Sequence, residues 1–379
     1  MKQGKKALVF LSTFGISSGS TGGERVDLQY RDLLVQLGFN VSVCELHSRN
    51  HPLLAFLRKF RLGKVCINLL LLAQTAWRKA DLVFVTHYYS RETLLAVLWQ
   101  KCILGAKVIL IMHHFEMCLS IRKVHFRMLG RWRESLPFHY SNWIVANSKF
   151  TKEEIVTLGV PPEKIGVIYP VHRCQGDATA VDFKDNSGLI RILYVGTLEK
   201  RKGALDLCEA FTALESHNIE LALVGRRAGH PSAYFDQIED LARQDPRIRL
   251  CGALDDEEVC ALFNRSDIFV LPSHWEGFGI VLLEAMKHSL PIISTRISAI
   301  PELVRDRVDG ILVEPRNSQA LRSALTELIV DNDKRRSFAE ASRKRFAEIP
   351  NWVQESRRFR QGVEDLFIEH RSLKVPTAS

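Results

Sequence analysis

Leu271-Pro-Ser-His-Trp-Glu-Gly-Phe-Gly-Ile-Val-Leu-Leu-Glu-Ala-Met286 joins an apolar run, 268–271, to a helical pattern that opens near Gly279 or Ile280. A short buried strand, a loop and a helix start form the repeating unit of an α/β sheet. Glycines where a helix begins leave backbone N–H groups free to face an anion, with the positive end of the helix dipole behind them. Glu276 stands just before that helix and Glu284 inside it, eight residues on. They need not share a helix face, and they can reach different parts of one elongated ligand. Two ordinary surface glutamates are the plain alternative. Against it, Glu284 lies among Val281, Leu282, Leu283, Ala285 and Met286, where a spare carboxylate is costly.

The same grammar recurs in Leu193-Tyr-Val-Gly-Thr-Leu-Glu-Lys-Arg-Lys-Gly203. Lys200, Arg201 and Lys202 crowd the start of a helix expected over 204–214. Cations there oppose the helix dipole, so the arrangement makes sense if a di-anion completes it. A solvated basic loop is the other reading, and it stays open for Lys200.

Outward from these segments the alternation continues in both directions. Before them, strands are expected at 7–11, 40–46, 82–86, 108–112, 143–146 and 166–169, with a helix over 24–37 stopped by Gly38. Residues 176–188 turn polar and small and read as a linker. After it come strands at 190–195, 220–224, 248–251, 268–271, 291–294 and 310–313. Helices fall between them at 204–214, 234–243 and 256–264. An amphipathic helix over 352–368 ends the pattern. The expected domains are therefore 1–175 and 189–350. No solenoid-like repeat is visible.

Composition narrows the classes. The chain has 379 residues, 46% hydrophobic and 25% charged, which suits two globular domains. No run of about 18 apolar residues exists, so a spanning helix is not expected. Lys2, Lys5 and Lys6 before Ala7–Leu11 resemble a short signal peptide, but the apolar core is too short, and a first strand reads better. The eight cysteines form no C-x-x-C, so a reduced, cytosolic chain without structural zinc is expected. Charge is uneven: residues 1–175 hold 24 Lys+Arg and 11 Asp+Glu, and residues 176–379 hold 28 and 32.

Together the two loop segments resemble the family-4 retaining glycosyltransferases of GT-B fold. The family pattern E-x7-E matches Glu276 and Glu284, and G-x-L-x-x-x-K-G matches Gly196, Leu198, Lys202 and Gly203. Ala146-Asn-Ser-Lys-Phe-Thr151, Pro272-Ser273 and Ile300-Pro-Glu-Leu-Val304 are further family-like stretches. The resemblance implies an α/β fold of two facing Rossmann-like domains with a cleft between them, the helix 352–368 crossing back to the first. It implies no cofactor and no bound metal, with a nucleotide diphosphate sugar as donor substrate. It gives the donor diphosphate to Lys202 and Arg201, the ribose hydroxyls to Glu284, and the donor sugar to Glu276 with the backbone at Phe278 and Gly279. Gly22 and Gly23 match the glycine-rich loop that approaches the phosphates. Thr197 stands where many members have Arg, Ser289 near where many have Gly, and Val171 where a glycine often follows the proline. Thr197 moves the phosphate role toward Arg201.

Other readings follow from the first half. A dinucleotide enzyme should show G-x-G-x-x-G after its first strand. Here Gly15, Gly19, Gly22 and Gly23 are spread too widely, and Glu45 alone is a weak ribose acid. His87 and His113 end strands, where the crevice of an open sheet lies. Each reads as a sugar contact or as a structural histidine, and the family often has a histidine like His113. Residues 46–80 contain no acid and seven cations, and 121–133 mixes Arg and Lys with Phe126 and Trp132. Such helices suit an anionic membrane surface, or are solvated faces over core. No nucleic-acid motif is present.

The expected activity is retaining transfer of a sugar to a lipid-linked or polysaccharide precursor, on the inner membrane face or in the cytoplasm. A GT-B-fold epimerase and a non-catalytic sugar-nucleotide or membrane binder are the alternatives.

Overall fold

A computed structural model describes residues 4–11, 22–45, 69, 71–86, 93–113, 136–170, 188–227 and 233–368; at 10, 11, 22–25 and 45 it describes the backbone alone. The expected linker, apart from Gly188, therefore lies outside the described residues, as do His87, the basic stretch 121–133 and most of the stretch 46–80. The chain divides into two compact units, one of Met1–Pro170 with Asn351–Ser379 and the other of Val171–Pro350.

The first unit is built on strands β1 (Lys6–Leu11), β2 (Asn40–Glu45), β3 (Leu82–Thr86), β4 (Lys107–Met112), β5 (Trp143–Ala146) and β6 (Ile165–Val167). They lie in the order β2-β1-β3-β4-β5-β6. Every pairing is parallel. Both faces of such a sheet are covered, and β3 accordingly reads Leu-Val-Phe-Val-Thr with all five residues buried. Helices α1 (Gly22–Gln36), α2 (Leu94–Cys102) and α3 (Lys149–Val156) cross between the strands. The strand order reverses between β1 and β3, the switch-point geometry of a doubly wound sheet.

The helix Trp352–Ile368 belongs to this unit and locks onto it through aromatic packing. Phe359, fully buried, lies 4.8 Å from the ring of Tyr30 and 5.5 Å from that of Trp143. Gly362 makes that approach possible: a Cβ there would sit 2.4 Å from Trp143. Glu355, also buried, accepts from the Tyr169 backbone at 3.2 Å and from Arg358 at 2.8 Å. Burial holds the Glu355 carboxyl above the ordinary glutamate range, and it pushes the Tyr30 hydroxyl far upward.

The second unit repeats the plan with β7 (Ile190–Val195), β8 (Ile219–Val224), β9 (Ile248–Gly252), β10 (Ile268–Leu271), β11 (Ile292–Thr295) and β12 (Gly310–Val313). Their order is β12-β11-β10-β7-β8-β9, again all parallel. In order of appearance this is 6-5-4-1-2-3, the dinucleotide-fold order read from its far edge. Helices α4 (Ala204–Thr212), α5 (Ala233–Gln244), α6 (Asp256–Arg265) and α7 (Ile280–Lys287) belong to it, as do α8 (Ser318–Val330) and α9 (Asn332–Glu348). Tyr194, Phe211, Phe263 and Phe269 are its largest buried side chains.

Candidate active site

In the second sheet the switch point falls between β7 and β10, where ligands of open α/β sheets collect beyond the carboxyl ends of the strands. The loop after β7 carries Gly196 to Gly203, and the loop after β10 carries Pro272 to Gly279. Topology thus brings the two motifs together although they are far apart along the chain.

The contacts between the loops are close. The Lys202 ammonium pairs with Glu276 Oε2. Arg201 reaches Glu199 at 2.5 Å, the Trp275 carbonyl at 3.3 Å and Glu276 Oε1 at 4.0 Å. The backbone N–H of His274 donates to the Arg201 carbonyl at 2.8 Å, and the His274 ring pairs with Asp206 of α4. Gly203 fits because it has no side chain: its φ is +70°, and a Cβ would lie 2.1 Å from the Pro272 carbonyl oxygen. Glu276 is 5% exposed, so its charge is held by these donors and by Gly277 N–H at 3.2 Å.

Within the described residues, Arg201 and Lys202 of the basic triplet pair with carboxylates of the two loops. Residues 200–202 form a short 3₁₀ turn of their own, and Leu205 N–H of α4 donates at 3.0 Å to the Tyr234 hydroxyl. Burial pushes the Tyr234 hydroxyl up to about 12, so it stays protonated and neutral. Lys202 and Arg201 are directed at the loop that leads into α7.

The start of α7 shares with that of α4 a glycine N-cap without a side-chain cap. Gly279 caps α7 with φ +88° and offers no side-chain acceptor to the first N–H groups. Phe278, next to it, is 3% exposed. Glu284, one turn in, is fully buried, as are Leu282, Leu283, Ala285 and Met286. Gly196 packs against Tyr194, whose hydroxyl donates to Thr197 O at 3.1 Å.

In the first unit, His113 directly follows β4 and is 13% exposed at its side chain. Its Nε2 lies 2.5 Å from Asp27 Oδ1 of α1. Asn147, next after β5, donates to the His113 carbonyl at 2.7 Å. Asp27 is not among the residues expected from sequence. The one local signal for it is its place about a turn after Gly22 and Gly23, which begin α1. The loop before Gly22 lies outside the described residues. Among the described residues no group of three His, Cys, Asp or Glu could hold a metal ion.

Two Rossmann-like units, each on a six-stranded sheet of parallel strands, with paired glycine-rich loops at the switch point of the second, define a GT-B protein. Residues 20–171 match the profile of glycosyltransferase family 4 and residues 180–345 that of the glycosyl transferases group 1. The chain belongs to this family. It is 26% identical to a putative colanic acid biosynthesis glycosyltransferase of Salmonella typhimurium, over 70% of this chain and 66% of that one. The chain spans 57% and 59% of the length of two other curated relatives that it matches. Its fold is shared by sucrose-phosphate synthase of Thermosynechococcus elongatus, with TM-score 0.74 at 18% identity, covering 96% of this chain and all of that one. HepE of Anabaena, solved with UDP-glucose, gives 0.69 at 17%, covering 95% and 99%.

Proposed function

We propose that the protein moves a hexosyl group from a nucleoside diphosphate sugar to a polysaccharide precursor or lipid-linked acceptor, with retention at the anomeric carbon. The observation that carries this reading is the convergence of Lys202, Arg201 and Glu276 beside the start of α7, which has no side-chain cap. A diphosphate there meets two cations and free backbone N–H groups. The UDP-glucose complex of HepE supports the donor class, and the colanic acid role given for the Salmonella relative supports the acceptor class.

In this mechanism the bond between C1 and the diphosphate oxygen breaks, and negative charge grows on the leaving phosphate. Lys202, Arg201 and the start of α7 stabilise that charge, and such electrostatic stabilisation is usually the largest source of rate enhancement. The acceptor oxygen bonds to C1 from the same face, and its proton passes to the leaving phosphate. Glu276 and the backbone at Phe278 and Gly279 hold the sugar, Glu284 takes the ribose hydroxyls, and Gly22 and Gly23 border the phosphates. The first unit takes the acceptor. The cations of the acid-free stretch 46–80 and of 122–133 hold it to an anionic membrane surface, where each engaged cation contributes about 1 kcal/mol.

The test is acceptor-dependent release of nucleoside diphosphate from a panel of donors by Lys202→Ala and Glu284→Ala. Loss of one such electrostatic partner lowers turnover roughly 10²–10³-fold. Unchanged turnover in both variants overturns the reading.

A further inference from the structure

The end of β4 carries a side chain that is held from two directions. His113 follows Met112, which pairs with Ala146, so His113 and Asn147 stand side by side where two neighbouring strands end. Asn147 grips the His113 backbone through its Nδ2. Its own orientation is fixed, because its Oδ1 accepts from Thr151 Oγ1 at 2.7 Å and Ser148 Oγ at 3.4 Å. Ser148 in turn caps α3, accepting from Thr151 N–H at 3.0 Å. The ring is gripped separately. Asp27, 7% exposed at its side chain, sits 2.5 Å from Nε2. Backbone and ring are thus fixed by different elements, the β5–α3 loop and α1, and the ring retains partial access to solvent.

We infer that Asp27 and Asn147 are positioning residues for the transferase reaction, acting through His113. A carboxylate can only accept, so the hydrogen stays on Nε2 and the lone pair is on Nδ1. Nδ1 has no partner among the described residues and is the atom left for a substrate. It accepts a hydrogen bond from a sugar hydroxyl and so fixes how the sugar is turned. A ring without Asp27 exchanges tautomers and rotates, and then it often presents N–H where the hydroxyl needs an acceptor. Asn147 sets the height of the ring above the sheet edge. This inference rests on the transferase reading.

The experiment is a double-mutant cycle at Asp27 and His113, with Asn147→Ala alongside, assayed by acceptor-dependent diphosphate release. Asp27→Asn keeps the size and polarity of the side chain but removes the obligate acceptor. Outer partners of this kind are worth about 10–100-fold, and the loss is expected in kcat, with donor KM changed less than about threefold. In the His113→Ala background Asp27→Asn should cost nothing further, because its effect passes through the ring. ¹⁵N spectra of labelled histidine should show His113 as the Nε2–H tautomer, and as a mixture in Asp27→Asn. Asp27→Glu should recover part of the rate.

Multiplicative losses in the cycle, or a fall in rate matched by lost folded protein, overturn the positioning role. So does an unchanged tautomer in Asp27→Asn. If the parent protein transfers sugar and Lys202→Ala does not, while Asp27→Asn matches the parent, this inference alone fails. If Lys202→Ala and Glu284→Ala both match the parent, the transferase reading itself fails.

Discussion

Gly203→Ala separates the close packing of the two donor loops from the conformational preference of glycine. Gly203 and Gly252 both have φ +70°, and both lie in the second unit. They differ in surroundings: an added Cβ at Gly252 meets nothing within 4 Å, whereas at Gly203 it meets the Pro272 carbonyl at 2.1 Å. The left-handed conformation costs an L-residue about 1–2 kcal/mol, partly offset by the roughly 0.4–1 kcal/mol gained from a stiffer unfolded chain. Gly252→Ala should therefore cost roughly 1 kcal/mol. Gly203→Ala carries that same cost plus overpacking of about 1–3 kcal/mol, since backbone cannot swing aside as a side chain can. With a urea slope of about 2 kcal/mol/M, the midpoint of the second unit moves by roughly 1–2 M against about 0.5 M for the control. Circular dichroism in urea reads this. Relief of the clash also pushes the 200–203 turn off the 272–276 loop, breaking the bond from His274 N–H to Arg201 O and misplacing Lys202. Turnover should fall by roughly 10²–10³, while Gly252→Ala keeps its rate. Equal midpoints for the two variants, or full turnover in Gly203→Ala, would refute the reasoning.

Glu355→Gln tests the buried carboxyl under the last helix. Its folded-state titration lies above the ordinary range, so the native form takes up a proton before the unfolded chain does as pH falls. The stability of the parent protein relative to Glu355→Gln should rise from pH 7 down toward about 4.5; thermal melts across that window check it, and a flat or opposite trend sinks it. Ser289 has φ +57° near where the family often has glycine. Ser289→Gly relieves about 1 kcal/mol of backbone strain and loses about 0.4–1 kcal/mol to unfolded-state entropy. The melt should be unchanged or slightly higher, and a loss above about 1 kcal/mol contradicts this.

The sheets are legible in the sequence because buried parallel strands announce themselves as apolar runs. β3, β5, β7, β10 and β12 have the bounds expected from sequence. Ends set by hydrogen bonding are less visible: β6 spans Ile165–Val167 rather than 166–169, and α4 ends at Thr212 rather than at 214. Some helices leave no readable pattern. In α9 (Asn332–Glu348) the buried set is Arg335, Phe338, Ala339 and Ser342, which is no apolar stripe. Arg335 is buried there because it caps the carbonyls of Leu328 and Ile329, a role that composition cannot show. In the site, Lys202 and Glu276 are legible as separate motif residues, but their pairing is not. Asp27 escapes sequence reading for a related reason: its partner lies 86 residues away, and nothing local marks a carboxylate chosen by a neighbouring strand end.

The basic triplet shows how topology overrides local electrostatics. Read along the chain, three cations before a helix invite an anion to that helix. In space, one N–H in the first turn of α4, that of Leu205, is taken by Tyr234, and Asp206 in the same turn is itself paired with His274. The cations must satisfy the nearest uncompensated charge, and the switch point sets Glu276 of the neighbouring strand's loop against them. A diphosphate arriving at α7 then meets Lys202 and Arg201 already drawn to that side, so little reorganisation is needed when charge develops. The carboxylate that orients them is the one the transferase reading assigns to the sugar. Hence removing Glu276 should disturb phosphate and sugar binding together, whereas Glu284, buried one turn deeper, should affect the nucleoside alone. Titrating each variant with nucleoside monophosphate, nucleoside diphosphate and the full donor checks this, and a Glu276→Gln variant that binds the diphosphate as the parent does contradicts it.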